Sequence, residues 1–325
     1  MPLPPRPDRP KGHQTNRALA WLAGAAILSG CASGSAERGR TGMPAPQRPV
    51  EVLPLDPLSP ELAAYYGQIE AQRLARGWMR TDSGAQESAT GASRLAQTYI
   101  DVALREEHAR GPAGFAGTRT SVLRRWAVPV RYRLEFGATV GRATRLRDQA
   151  QVAALAARLS AAARHPISLQ PSDATEGNFH ILVLSENERR NIGPRLRQLI
   201  PGIDDGAVRL IEEMPRETFC LVMAFARDGS ANTSEAVAII RAEHPDLTRL
   251  ACYHEELTQG LGLANDSDAA RPSIFNDDQE FALITDHDLL LLRMHYDPRL
   301  TPGLPESALR PTIFSIASEL AAGES

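Results

Sequence analysis

The sequence predicts an α+β domain in which one mixed sheet of four or five strands packs against two long helices. Three observations carry this. Val128 to Phe136 (VPVRYRLEF) alternates apolar and polar residues, as a half-buried strand does. Thr144 to Arg164 is rich in Ala and Leu at helical spacing. Three apolar runs, Asn178 to Leu184, Thr218 to Ala226 and Glu235 to Arg241, then lead into a second long helical segment, Asp246 to Leu261.

The elements follow in order. Ser59-Pro60-Glu61 opens a helix, with Ser as N-cap, Pro at the first helical position and an acid in the first turn; it runs to about Ala75. Thr81 to Ala92 is small and polar, a loop. Leu95, Tyr99, Val102 and Ala103 recur at helical spacing and predict a helix from Ser93 to about His108. Gly111, Pro112, Gly114 and Gly117 then break the chain. Residues 59–122 thus form a helical annex, and residues 123–310 the main domain. Within it, Thr218 to Ala226 reads as a central strand and Glu235 to Arg241 as an edge strand, with a short helix at Pro194 to Leu199. Asp246 is a candidate N-cap for the second long helix. Asp286 and Asp288 cap a helix starting near His287, which His295 and Tyr296 finish against the core. Residues 311–325 are taken as a C-terminal tail.

Composition narrows the function. The chain has 325 residues, 42% hydrophobic and 23% charged, an ordinary globular balance. A formal net charge of −3 gives no basic field for nucleic acid. P-loop, dinucleotide glycine fingerprint and Gly-x-Ser-x-Gly elbow are all lacking, so neither a nucleotide nor a serine-hydrolase elbow is expected.

The first thirty residues carry an address. Arg6, Arg9, Lys11 and Arg17 against Asp8 make a basic leader, and Ala18 to Ser29 (ALAWLAGAAILS) has no charge. As a helix it would span about 18 Å, short of a ~30 Å hydrocarbon core. That is the core of a signal peptide rather than a membrane span. Leu28-Ser29-Gly30-Cys31 resembles a bacterial lipobox, which implies cleavage after residue 30 and diacylglycerol, with further acylation, on Cys31. The expectation is a lipoprotein in the cell envelope, facing the periplasm and anchored by more than one acyl chain. Ala32 and Ser33 after the cysteine favour the outer membrane over the inner. Residues 31–58, rich in Gly, Pro, Ser and Arg, read as a disordered tether. Cys220 and Cys252 are the two cysteines left. An oxidising compartment favours a bridge between them; two buried free thiols are the alternative.

The chemistry sits in His254-Glu255-Glu256-Leu257-Thr258-Gln259-Gly260-Leu261-Gly262-Leu263-Ala264-Asn265-Asp266. Glu255 and Gln259 are four residues apart and share a helix face, with Glu256 beside them. Gly262 can take a left-handed conformation that ends the helix and returns Asn265 or Asp266 to that face. Zinc peptidases place ligands at i and i+4, a glutamate base after the first, and a third ligand beyond a Gly turn. Their H-E-x-x-H-x-x-G-x-x-H pattern falls here on Glu255, Glu256, Gln259, Gly262 and Asn265. Pro272-Ser273-Ile274-Phe275 resembles the turn beneath the metal in metzincins, with Phe275 in the place of methionine.

Residues from about Leu123 to Arg310 resemble the bacterial domain of unknown function 2927. Leu123-Arg124-Arg125-Trp126, Cys220, the run from Cys252 to Asp266 (CYHEELTQGLGLAND), Ser273 to Asp277 and Tyr296-Asp297-Pro298-Arg299-Leu300 carry the resemblance. It implies an exported domain with a zincin-like fold and a bridge between Cys220 and Cys252.

The departures from the peptidase pattern decide what the site can do. Carboxylate and amide oxygens replace the imidazoles that zinc prefers, and they suit harder divalent ions or no metal at all. His254 does not restore the site, because it points about 100° away from Glu255 and its i+4 partner is Thr258. Three readings follow. One is a non-catalytic scaffold binding an envelope protein, a peptide or peptidoglycan. The second is a hydrolase with Glu256 as base and Glu255, Gln259, Asn265 or Asp266 as metal ligands. The third is a chance amphipathic helix. Asp266, Asp268, Asp277 and Asp278 also form an acidic loop, which is a solvated surface more readily than a calcium site.

Overall fold

The computed structural model describes residues 58–323, apart from residues 86, 88–90, 107–109, 112–113, 116–118 and 277. The leader 1–30, Cys31 and all but the last residue of the tether lie outside the described residues.

Helix α1 (Pro60–Ala75) starts as the sequence predicts, with Ser59 Oγ accepting from the Leu62 amide at 3.3 Å. Its anchor is Tyr66, which is fully buried, packs edge-on to Phe219 and His244, and donates to the Arg216 carbonyl. Helix α2 (Ala92–Ala103) stops short of the expected His108. The chain leaves it to build two small antiparallel ladders, β1 (Arg105–Glu106) with β4 (Arg119–Thr120) and β2 (Arg110–Gly111) with β3 (Gly114–Phe115). Sheet pairing at Arg105 takes the backbone that further helix would need.

The main sheet begins with β5 (Arg125–Trp126) and β6 (Val130–Phe136), followed by α3 (Arg142–Ala163), β7 (Ile167–Leu169) and β8 (Phe179–Leu184). Three short helices come next: α4 (Glu186–Arg190), α5 (Gly193–Leu199) and α6 (Asp205–Glu212). Of these the sequence predicts α5 alone. Then come β9 (Cys220–Ala226), β10 (Asn232–Arg241), α7 (Asp246–Gln259), α8 (Asp286–His295) and α9 (Glu306–Gly323). In space the strands run β7-β6-β8-β10-β9, with β5 beside the start of β10. Every pairing is parallel except that of β9 with β10. The sheet is therefore mixed, and α3 and α7 are the long helices expected on it.

Two strand assignments are corrected. Glu235 to Arg241 is not an edge: β10 lies between β8 and β9, and Ala236 to Arg241 are all buried. Thr218 to Ala226 is not central: among the described residues β9 pairs with β10 alone. Its apolar composition misled because both of its faces are covered. Leu221, Met223 and Phe225 pack on a core that includes Leu196, Val208 and Ile211, while Cys220 and Val222 pack on the larger core shared with α7.

The segment taken as a tail at 311–325 is mostly the body of α9, which buries Leu309, Ile313, Ile316 and Ala317. Pro311 inside it breaks the helical pattern on the page but not in the fold. Helix α2, assigned to the annex, puts Leu95, Tyr99 and Ile100 into the main core beside α8 and α9.

Candidate functional site

Helix α7 is held at both ends by long-range contacts. Near its start, Arg249 pairs with Asp148 at 2.8 Å, the Tyr253 hydroxyl donates to the same carboxylate, and all three groups are buried. A disulfide joins Cys252 to Cys220 with Cα atoms 5.9 Å apart, so the middle of α7 is stapled to the start of β9. At the far end, the Trp126 indole donates to the Gly260 carbonyl at 2.8 Å and stacks on Phe179. A Cβ at Gly260 would lie 2.5 Å from the Phe179 ring, so the helix approaches the sheet closely there.

Gly262 has φ +124°. A Cβ on it would fall 2.1 Å from His295 Nε2 and 2.5 Å from the Arg124 carbonyl, two groups hydrogen-bonded to each other at 2.9 Å. The turn does what its spacing requires: Asp266 returns to the helix and accepts from the Gln259 amide at 2.9 Å. Asn265 is placed differently. Its amide donates to the Asp101 and Asp266 carbonyls, and its backbone N–H donates to the Val102 carbonyl, tying the turn to the end of α2.

Glu255, Glu256, Gln259 and Asp266 line one cleft of about 620 Å³, whose opposite wall is β9. Asn265 is not among its lining residues. Glu255 also borders a smaller recess beside Cys252, Ile274 and Arg73. Ile274 belongs to the Pro272–Phe275 turn, so that turn does lie against the motif helix. The Arg73 guanidinium sits 4.6 Å over the Phe219 ring, and the nearby Glu255 carboxylate favours its charged form against the desolvation that lowers its pKa.

Among the described residues, one group with the spacing to share an ion is Cys220, Glu255 and Glu256, whose ligand atoms lie within 4.8 Å of one another. Cys220 is spent in the disulfide and offers no thiolate. What remains of that group is two carboxylates, a donor set that does not fit catalytic zinc. His254 cannot help. It is buried, its Nδ1 accepts from the Ile284 amide at 2.9 Å, and burial pushes its pKa down to about 3.

The helix caps are also refined. Thr285 caps α8, and Asp288 closes a capping box at the third helical position. Asp288 additionally accepts from Ser273 Oγ and the Ile274 amide, fixing the 272–275 turn. Burial raises its pKa to about 6 despite those bonds. Thr285-x-x-Asp288 is legible as a cap in sequence, but its tie to Ser273 is not. In the acidic loop, Arg271 pairs with Asp278 and Glu280, while Asp277 lies outside the described residues.

Residues 92–314 match the family described as Protein of unknown function (DUF2927). No curated protein and no solved structure matches the chain. The match starts at α2 and runs into α9, so it covers the sheet, the stapled helix and the cleft together. The chain belongs to the DUF2927 family.

Proposed function

We propose that this protein is a lipid-anchored binding protein of the cell envelope, built on a zincin-like frame, whose cleft takes an extended peptide segment. One observation carries the binding role: β9, which among the described residues pairs with β10 alone, lines the cleft together with Glu255, Glu256 and Gln259. An exposed strand edge offers unpaired backbone donors and acceptors to an incoming strand, and pockets beside it select side chains. Glu235 to Arg241, the expected edge, lies inside the sheet, so the role falls to β9. An antiparallel edge strand over a helix that carries Glu256 and then a Gly turn supports the zincin-like frame. The lipobox at Cys31 supports the anchor, and a disulfide suits an oxidising compartment. No helix of the described residues is long and apolar enough to cross a membrane.

The proximity of Glu255 to Glu256 favours a second reading, a hydrolase using a hard divalent ion with Glu256 as base. Metal analysis of protein purified without chelator separates the two. Binding without catalysis predicts substoichiometric metal and a Glu256→Ala strain that behaves like its parent. Stoichiometric metal, lost in Glu255→Ala, would overturn it in favour of the hydrolase. For the anchor, Cys31→Ala is expected to abolish lipid labelling and leave an uncleaved precursor; a variant still labelled would refute it.

A further inference from the structure

We infer that Arg131, Arg133 and His180 form a phosphoryl-binding site on the face of the sheet turned away from α7. The inference does not depend on strand addition at β9. On β6, Val130 and Tyr132 enter the core shared with α7, so strand alternation turns Arg131, Arg133 and Glu135 to the opposite face. On β8, His180 lies between Phe179 and Ile181 of that same core and shares the face of Arg133, its register partner. Toward the C-terminal ends of the strands this face is apolar: Leu182, Leu184, Val237 and Ile239 pack with Leu196 of α5 and Val208 of α6. Toward the N-terminal ends it is polar, although His180 is only 5% exposed. An apolar residue would be cheaper to bury at such a position.

Three nitrogens of this group, Arg131 Nε, Arg133 Nη1 and His180 Nδ1, are buried and have no hydrogen-bond partner among the described residues. Unmade donors are costly, and three on neighbouring residues of two paired strands are not accounted for by the needs of the fold. The carboxylates on this face are already engaged. Glu135 accepts from Arg133 Nε at 3.0 Å and from Arg195 of α5 at 2.9 Å, and Glu235 pairs with Arg227. Asp173 and Glu176, on the loop before β8, stay exposed. What the three nitrogens lack is an acceptor. Burial lowers the pKa of His180, so the ring is neutral and can donate from Nδ1. Two guanidiniums and an imidazole converging from adjacent strands suit a phosphoryl group, which offers an oxygen to each. The Arg133 and Glu135 side chains keep 19% and 23% of their surface exposed, so the rim of the site is open to solvent. Free phosphate and the phosphodiester of a lipid headgroup share this chemistry.

The test titrates the full chain, in neutral detergent at constant ionic strength, with inorganic phosphate. Heat and the ring resonances of His180 are the two readouts. One saturable event is expected, moving the His180 resonances, with acetate weaker by about tenfold or more. Arg131→Gln should weaken phosphate by about tenfold or more. His180→Phe should abolish the binding yet leave the melting temperature without phosphate unchanged or raised, because it removes an unmade hydrogen bond. Glycerophosphoglycerol, a deacylated lipid headgroup, is the second arm. Tighter binding of it than of phosphate supports a headgroup as the source, and the reverse order supports the free ion. Absence of heat and of a His180 shift with both ligands overturns the site. So does acetate binding as tightly as phosphate, or affinity undiminished in both variants.

Discussion

Acidification should unfold this protein through four buried histidines, and the size of the effect can be worked out group by group. His244, His254, His287 and His295 are all buried, and desolvation lowers their pKa values to about 3, 3, 4 and 3. The hydrogen bonds set which ring nitrogen carries the proton in three of them. His254 Nδ1 faces a backbone N–H and can only accept. His244 Nε2 and His295 Nε2 face carbonyls and so carry the proton, and His295 Nδ1 meets the Tyr99 hydroxyl. In the unfolded chain each imidazole takes up a proton near pH 6.5. Between that pH and the folded pKa values the unfolded state binds more protons, so stability falls as pH falls. Each group removes roughly 1.4 kcal/mol per pH unit. Asp288 acts in the opposite sense. Its raised pKa of about 6 makes the folded state the better proton binder between the ordinary carboxylate value and 6, so its share of stability grows as pH falls. Between these five groups the four histidines outweigh Asp288, leaving a loss of roughly 4 kcal/mol per pH unit near pH 5. A domain with about 10 kcal/mol at pH 7 would then be half unfolded near pH 4. Urea melts followed by circular dichroism at pH 7, 6, 5.5 and 5 measure the slope directly. His254→Gln should lower it by about 1.4 kcal/mol per pH unit. A free energy of unfolding that stays constant from pH 6.5 to 5 would refute the burial of these groups as neutral imidazoles.

Three further outcomes follow from the same geometry. Cys220→Ser with Cys252→Ser opens a link spanning 32 residues and should cost about 3.5 kcal/mol, or about 6 °C in Tm by calorimetry; no shift would mean that the staple does not constrain the chain. Gly262→Ala forces a methyl into the His295–Arg124 hydrogen bond at a left-handed φ, so urea denaturation should show a loss of about 3 kcal/mol or more, and a neutral result would contradict the turn. Asp148→Ala removes the buried partner of Arg249 and leaves it the exposed Asp246 carboxylate alone, at a cost of about 3 kcal/mol, with Asp148→Asn milder, in the same denaturation assay.

What the sequence made legible was mostly local. Ser59 with Pro60, the alternation from Val128 to Phe136 and the long periodic run of α3 are signals written within a few residues of the elements they specify. The motif helix and its Gly262 turn also came through, because ligand-like spacing and a left-handed glycine are both local patterns. Sheet order did not. The runs of β9 and β10 look alike in composition, and only tertiary cover distinguishes a strand buried by neighbours from an edge buried by helices on both faces. The C-terminal helix was hidden by Pro311 and the short helices α4 and α6 by their length. Within the site, Asp266 was foreseen as one of two candidates. Nothing local shows that Asn265 is spent on the Asp101 carbonyl, or that Arg73 approaches Glu255 from far upstream.

The most direct test of the account is backbone amide exchange over residues 220–226 and 236–241, with and without a saturating extended peptide selected for binding. In the free protein, β10 should be protected throughout and β9 should retain a fast-exchanging set from its outer edge. On adding the peptide, that set should slow while β10 is unchanged. A β9 already fully protected, or one left unaltered when the peptide binds, would contradict the claim that this edge is where the protein takes its partner.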